Sequence, residues 1–383
     1  MLPIKKQISR LYLSSILGNL SLTGAWVAIL AARGYSLVEI GFAETVFHIT
    51  SLILEIPSGV LADVFGRKNM LIVSSVMTMI GNIIMICSGS LWTICASMAF
   101  QAAGYNFASG SGDALAYDSL KMHAHEDYYG KYASVQLSIC RFCGGLSTLC
   151  AGFALLIGHR AAYGIDIVIG MIQIGILCTL WEAHIPQGTK DRQAFSSISP
   201  SPVRAGRFRT AFHAIRRELA YCFLASLSFL KTARRAVLFM FCNSLVGAAD
   251  ILLLFFLQAK LPEAGLSGFA LGLSLFFMEM GGILGARLIL RWQKLRYRSV
   301  FLLTALFVTG GVLIEHTGIC PLMAAGGFLA AFGDDALQVR TNTILQDMFP
   351  SEQRATLISM ESFTFSMIMI VLSPLAGILF SHW

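Results

Sequence analysis

The sequence predicts an all-α integral membrane protein, and three observations carry that prediction. Mean hydropathy is +0.71. Only 13% of the 383 residues are charged and 56% are hydrophobic, against roughly 25% charged in a soluble globular chain. The apolar residues gather into stretches of about 20, the length an α-helix needs to cross a bilayer. A chain so poor in charge cannot clothe a surface in water, so lipid is its solvent.

Eleven such stretches follow one another: 9–32, 37–62, 70–88, 91–117, 131–157, 160–182, 236–258, 266–288, 299–315, 319–344 and 354–381. Short turns join them, except for a segment rich in Arg, Lys, Ser and Pro between the sixth and seventh. The predicted organisation is a six-helix bundle over 1–182, a basic cytoplasmic linker over 183–235, and a five-helix bundle over 236–383. Within the linker, Phe208, Phe212, Ile215, Leu219 and Cys222 fall on one helical stripe among arginines. That is the pattern of a helix lying in the membrane interface. The N-terminus, with Lys5 and Lys6 ahead of an apolar run, lacks a small-x-small cleavage site and reads as a retained first span.

Charge placement tests this map. With the N-terminus in the cytoplasm, 24 of the 28 Lys and Arg fall on the cytoplasmic side. Arg33, Arg160 and Lys260 fall on the other side and Arg141 lies within a span. Cytoplasmic loops of membrane proteins carry this excess of positive charge. The net charge of +7 therefore faces anionic headgroups of the cytoplasmic membrane rather than nucleic acid. The nine cysteines are scattered through apolar segments; Cys140 and Cys143 share a CxxC spacing only inside a helix, so these are packing residues. No P-loop, HExxH or nucleophile–base arrangement is present, so neither an enzyme nor an ATP-driven pump is expected. No metal or organic cofactor is expected either.

The chain repeats itself. Glu55 and Glu279 are 224 residues apart, as are Arg67 and Arg291. GDALAYD (112–118) matches DDALQVR (334–340) at an offset of 222, and GKYAS (130–134) matches QRATL (353–357) at 223. Four anchors within two residues of one offset predict two pseudo-symmetric halves in parallel arrangement. The same offset places a counterpart of the sixth span beyond Trp383, so a twelfth helix is expected that the eleven visible spans lack.

Between the second and third spans the chain reads GVLADVFGRK (59–68), charge and glycine in fixed order within an apolar region. Gly59 and Ala62 share a helical face on which another helix can approach closely. This stretch resembles the signature loop between helices 2 and 3 of the major facilitator superfamily; Val64, where many members carry a base, is a departure. EIPSG (55–59) and SGSGDALAYDSLK (109–121) resemble a bacterial efflux branch of that superfamily. The resemblance implies a cytoplasmic latch formed by Gly59, Asp63, Gly66, Arg67 and Lys68. In it, Asp63 meets the N-terminus of helix 11, where Ser351 behind Pro350 is a suitable cap.

An ionisable side chain near the bilayer centre costs about 2.5–3.5 kcal/mol on insertion scales, so each one needs a reason. Glu44, His48 and Glu55 share one face of the second span with Gly59. Asp113 lies in the fourth, flanked by Ser109 and Tyr117, with Asp118 closer to the cytoplasmic end. Arg141 lies in the fifth, Asn243 and Asp250 in the seventh, Glu279 in the eighth and Glu361 in the eleventh. These predict either a water-accessible cavity that binds substrate or protons, with Arg141 pairing an acid or an anionic group, or structural ion pairs between helices. Two markers common in drug–proton antiporters of the superfamily are missing: the fourth span has no arginine, and the fifth has no Gly-Pro element.

The expected function is secondary transport of a small molecule by alternating access, with export of drug-like or metabolite compounds driven by a proton or other ion gradient. The alternatives are a nutrient symporter and a transport-inactive relative. The partners expected are a small-molecule substrate and the lipid bilayer, with the protein a monomer.

Overall fold

The computed structural model describes residues 2–182, 234–292, 295–348 and 354–381. The predicted interfacial helix of the linker and the proposed cap at Ser351 lie outside these residues, as does the side chain of Asp63. The described residues form fourteen α-helices and one 3-10 turn, with no strand among them.

The first span is built from α1 (Leu2–Asn19) and α2 (Trp26–Ala32), and the second is α3 (Leu37–Phe65). The third is α4 (Arg67–Cys87), and the fourth joins α5 (Leu91–Ala108) to α6 (Ser111–Lys121). The fifth joins α7 (Tyr129–Leu149) to α8 (Ala151–Ile157), and the sixth is α9 (His159–Cys178). Then follow α10 (Arg234–Glu263), α11 (Gly268–Ile289), α12 (Tyr297–Glu315), α13 (Cys320–Met348) and α14 (Arg354–Ser381). Seven of these helices are apolar rods long enough to cross a bilayer, and α7–α8, bent by 47°, make an eighth. Large apolar side chains such as Trp92 (74% exposed) and Leu156 (82% exposed) point outward. Lipid is the solvent that makes such exposure favourable.

Three spans expected to be continuous are broken, the fifth where α7 gives way to α8 at Cys150. The first stops at Asn19 and resumes at Trp26; Asp166 on α9 accepts hydrogen bonds from the Leu22 and Thr23 amides and from the Ser21 and Thr23 hydroxyls, at 2.6–3.2 Å. A buried carboxylate thus supplies the acceptor that the interrupted helix gives up. The fourth span breaks at Gly110, whose φ of 70° ends α5 and opens α6. Asp113 therefore sits in the first turn of a new helix rather than mid-span, where Asp is favoured. Tyr117 remains one turn further along α6, while Ser109 belongs to the break.

The packing repeats in the two halves. α3 packs on α5 and α4 on α5; likewise α11 packs on α13 and α12 on α13. Ser74 Oγ donates to the Gly104 carbonyl at 2.7 Å between α4 and α5, and Thr304 Oγ1 to the Gly333 carbonyl at 2.9 Å between α12 and α13. Across the halves, α3 meets α14 and α7–α8 meet α11. These two contacts exchange under the repeat, as two-fold pseudo-symmetry requires.

The halves touch at one end. Gly41 lies against the Ser373 backbone, Gly377 against Leu37, Gly152 against Gly268 and Gly272 against Leu149, each too close to admit a Cβ. Small residues let helix backbones approach where lipid gives no hydrophobic drive. One apolar core, from Ala25, Val27 and Leu37 to Leu252, Leu271 and Phe380, runs through both halves here. The end that carries Arg67, Lys68 and Lys121 is different. It holds one core confined to the first half, around Ile8, Leu115, Tyr132 and Leu177, and a separate one in the second, around Met240, Leu345 and Met360.

Candidate functional site: an acidic cavity between the halves

Between the halves lies a cavity of about 1290 Å³. The first half contributes Glu44, Glu55, Asp113 and Asp166 to its wall, and the second Asp250, Glu279, Asp334, Asp335 and Glu361. Among the described residues, nine carboxylates therefore share this space with one guanidinium, Arg141, and one imidazole, His48. All seven residues the sequence singled out for substrate or proton coupling line this one cavity.

Each position has a local cause. Glu44 and His48, one turn apart on α3, lie 3.3 Å apart and both are buried. The His48 ring also stacks edge-on against Phe365 of α14, so it sits at the seam between the halves. Asn243 on α10 donates to Glu361 Oε1 on α14 at 3.1 Å. Glu55, Ser109 and Asp113 stand nearer the basic end, in the wall of the same cavity. Arg141 reaches across from α7 to Asp335 on α13, Nη2 to Oδ1 at 3.5 Å, with half of its side chain exposed in the cavity. The pairing with an acid expected of Arg141 is thus present, and it spans the two halves.

Asp334 and Asp335 were not singled out from the sequence, although the repeat carried the signal: DDALQVR aligns Asp335 with Asp113. Glycines on the facing helices make room for them. A Cβ at Gly247 would lie 3.2 Å from Asp334 Oδ1, and one at Gly282 would press on Asp335 Oδ2. Asp250, on α10, is only 3% exposed and its Oδ1 has no hydrogen-bond partner, nor has Ser244 Oγ at 2% exposure.

The glycine-punctuated loop has a separate geometry. Gly66 turns the chain from α3 to α4 at φ 95°, a conformation reserved for glycine. Both oxygens of Glu182 accept from the amides of Arg67 and Lys68, at 2.9 Å each, and so neutralise the start of α4. Arg67 pairs with Asp118 and donates to the Ala114 carbonyl at 2.9 Å, binding the loop to α6. Lys68 Nζ donates to the carbonyls of Cys178, the last residue of α9, and Leu180 just past it, at 2.9 and 2.6 Å. The two bases are thus engaged within the first half. Glu182, at the far edge of the sixth span, escaped the sequence reading because nothing local marks it as a cap for α4.

The arrangement is a polar cavity between two related helical bundles, sealed at one end. The Major Facilitator Superfamily model matches residues 11–319, and the chain belongs to that superfamily. Its long apolar helices make it a multi-pass membrane protein. An uncharacterized transporter of Buchnera aphidicola subsp. Acyrthosiphon pisum (strain APS) is 35% identical over 65 residues, a match covering 17% of this chain and 17% of that relative. Among solved structures, a mutant of the nucleoside transporter NupG superposes with a TM-score of 0.73 at 12% identity, covering 98% of this chain and 96% of that one. A POT family transporter in complex with a thioalcohol-conjugated peptide gives 0.68 at 12%, covering 97% and 90%. A D-xylose-proton symporter gives 0.62 at 14%, covering 97% and 88%. These likenesses concern the fold.

Proposed function

We propose that this protein is a secondary active transporter of the cytoplasmic membrane that exports a small drug-like or metabolite compound by alternating access, driven by a proton or other ion gradient. In this reading the basic end faces the cytoplasm, as the distribution of Lys and Arg favours. The observation that carries it is the asymmetry of the seam: glycine contacts and a shared apolar core join the halves at the end away from the bases, whereas the cores around Ile8 and Met240 at the basic end each stay within one half. A cavity lined from both halves and closed at one end is an inward-facing state. Rocking the halves about it exchanges the doorway. The working units are 1–182 and 236–383, joined by the basic segment 183–235, acting as a monomer within the bilayer.

The latch reading of Gly59, Asp63, Gly66, Arg67 and Lys68 belongs to the same scheme. A Cβ at Gly59 would meet nothing within 4 Å, which suits a helix face waiting for its partner in the opposite state. The clamp of Arg67 and Lys68 onto α6 and the end of α9 makes the basic end of the first half move as one piece. Glu44, His48, Asp113, Arg141, Asp250, Glu279 and Glu361 are the residues assigned to substrate or proton coupling.

Two measurements test this. Cells expressing the protein should accumulate less of at least one compound in a fluorescent panel, and the difference should vanish when the ion gradient is collapsed; equal accumulation throughout overturns export. In purified protein freed of reactive native cysteines, a single cysteine at Gly59 should be labelled readily and lose reactivity when the opposite state is populated. Reactivity that no condition changes overturns alternating access.

A further inference from the structure

The cavity's charge imbalance lies mostly in the second half. Asp250, Glu279, Asp334 and Asp335 gather on α10, α11 and α13, and the Arg141 guanidinium reaches only Asp335 among them. Among the described residues, Arg141 is the one guanidinium or ammonium group that faces these four acids in the cavity. Asp250 is almost wholly buried with an oxygen that nothing donates to, and Ser244, two turns earlier on α10, is in the same condition. Buried polar atoms without a protein partner are completed by water or by a bound group. The adjoining wall is apolar and aromatic: Ile251, Leu254 and Phe255 of α10, and Trp26 packed edge-on against Phe255 at 5.6 Å between ring centres. Among the described residues, no three of the His, Cys, Asp and Glu side chains converge closely enough to hold a metal ion.

We infer that this half of the cavity is a binding site for an organic cation, a protonated amine or onium group on an apolar body. The positive centre seats between Asp250 and Asp335, displacing Arg141 from Asp335, while the body lies against Phe255 and Trp26. Arg141 is then a tethered stand-in for the cargo. It holds the site partly neutral when empty and ties α7 of one half to α13 of the other. Arrival of a cation releases that tie. That the cation is cargo rests on the transport reading above; that it binds does not.

The test is equilibrium dialysis of the purified full chain with tetraphenylphosphonium and with tetraphenylborate, which share size and shape and differ in the sign of charge. The phosphonium should bind at least tenfold more tightly. Asp335→Asn should weaken its binding tenfold or more, whereas Arg141→Gln should tighten it about threefold, since it removes the internal competitor. A purely structural ion pair predicts loss from both substitutions, and that pattern overturns the proposal. Equal affinity for the two probes overturns it in the wild-type chain alone, with no variant needed. The two readings fail separately. Charge-selective binding with unchanging label at Gly59 leaves the site and removes transport; changing label without charge selectivity does the reverse.

Discussion

Gly66 sits at φ 95° and ψ 143°, and a Cβ there would come within 2.9 Å of Glu182 Oε2. Gly66→Ala should therefore cost about 1–3 kcal/mol from backbone strain alone, read as a lower unfolding temperature in detergent. Glu182→Gln should cost less, because one oxygen still accepts from the start of α4. At the other end of the first half, Asp166 is the acceptor for two amides and two hydroxyls. Asp166→Ala orphans these donors, at about 1–3 kcal/mol for each that water cannot reach. Asp166→Asn keeps one acceptor oxygen and should lie between wild type and Ala in the same thermal assay; an equal loss from both would mean that charge, not acceptance, holds the break.

At the scale of elements, the informative feature is which glycines are in contact and which are not. Gly152 and Gly272 let α8 and α11 approach at the closed end. Gly152→Leu should wedge that seam apart and expose cysteines placed beside it, with transport reduced at least tenfold while membrane levels hold. Gly59→Leu should behave differently. In the described state its side chain enters open space, so stability should be unchanged, yet transport should fall because the basic end can no longer close. Full transport by Gly59→Leu would remove the latch reading while leaving the fold intact.

For the whole molecule, the sealed end is a lock that can be made covalent. Gly41 on α3 and Ser373 on α14 lie against each other across the halves. Cysteines one turn away at Thr45 and Ile370, where the Thr45 hydroxyl lies 3.3 Å from the Ile370 carbonyl, bridged in a background without the native thiols, should hold the basic end open and abolish transport, with recovery on reduction. Transport that persists through the bridge would mean that the halves need not separate there. Among the described residues, Arg67, Lys68 and Lys121 at the basic end line no part of the cavity.

Much of this was legible in the chain. The helical character of the long apolar stretches, the repeated packing of the two halves and the turn at Gly66 follow from local rules, because in lipid every backbone group must be satisfied within its own helix. Apolar length therefore reports structure almost directly. What remained hidden was relational. The break at 20–25 depends on Asp166, far along the chain, and the start of α4 on Glu182. The partner of Arg141 proved to be Asp335, which the reading had passed over. Nor does any stretch of sequence say that nine acids share one cavity with a single guanidinium. The sequence by itself determined a pair of related membrane bundles with charges buried in them. Only the tertiary structure decided which charges meet and which end is closed, because those depend on how two rigid halves lean on each other, a balance of a few glycine contacts that no local pattern encodes.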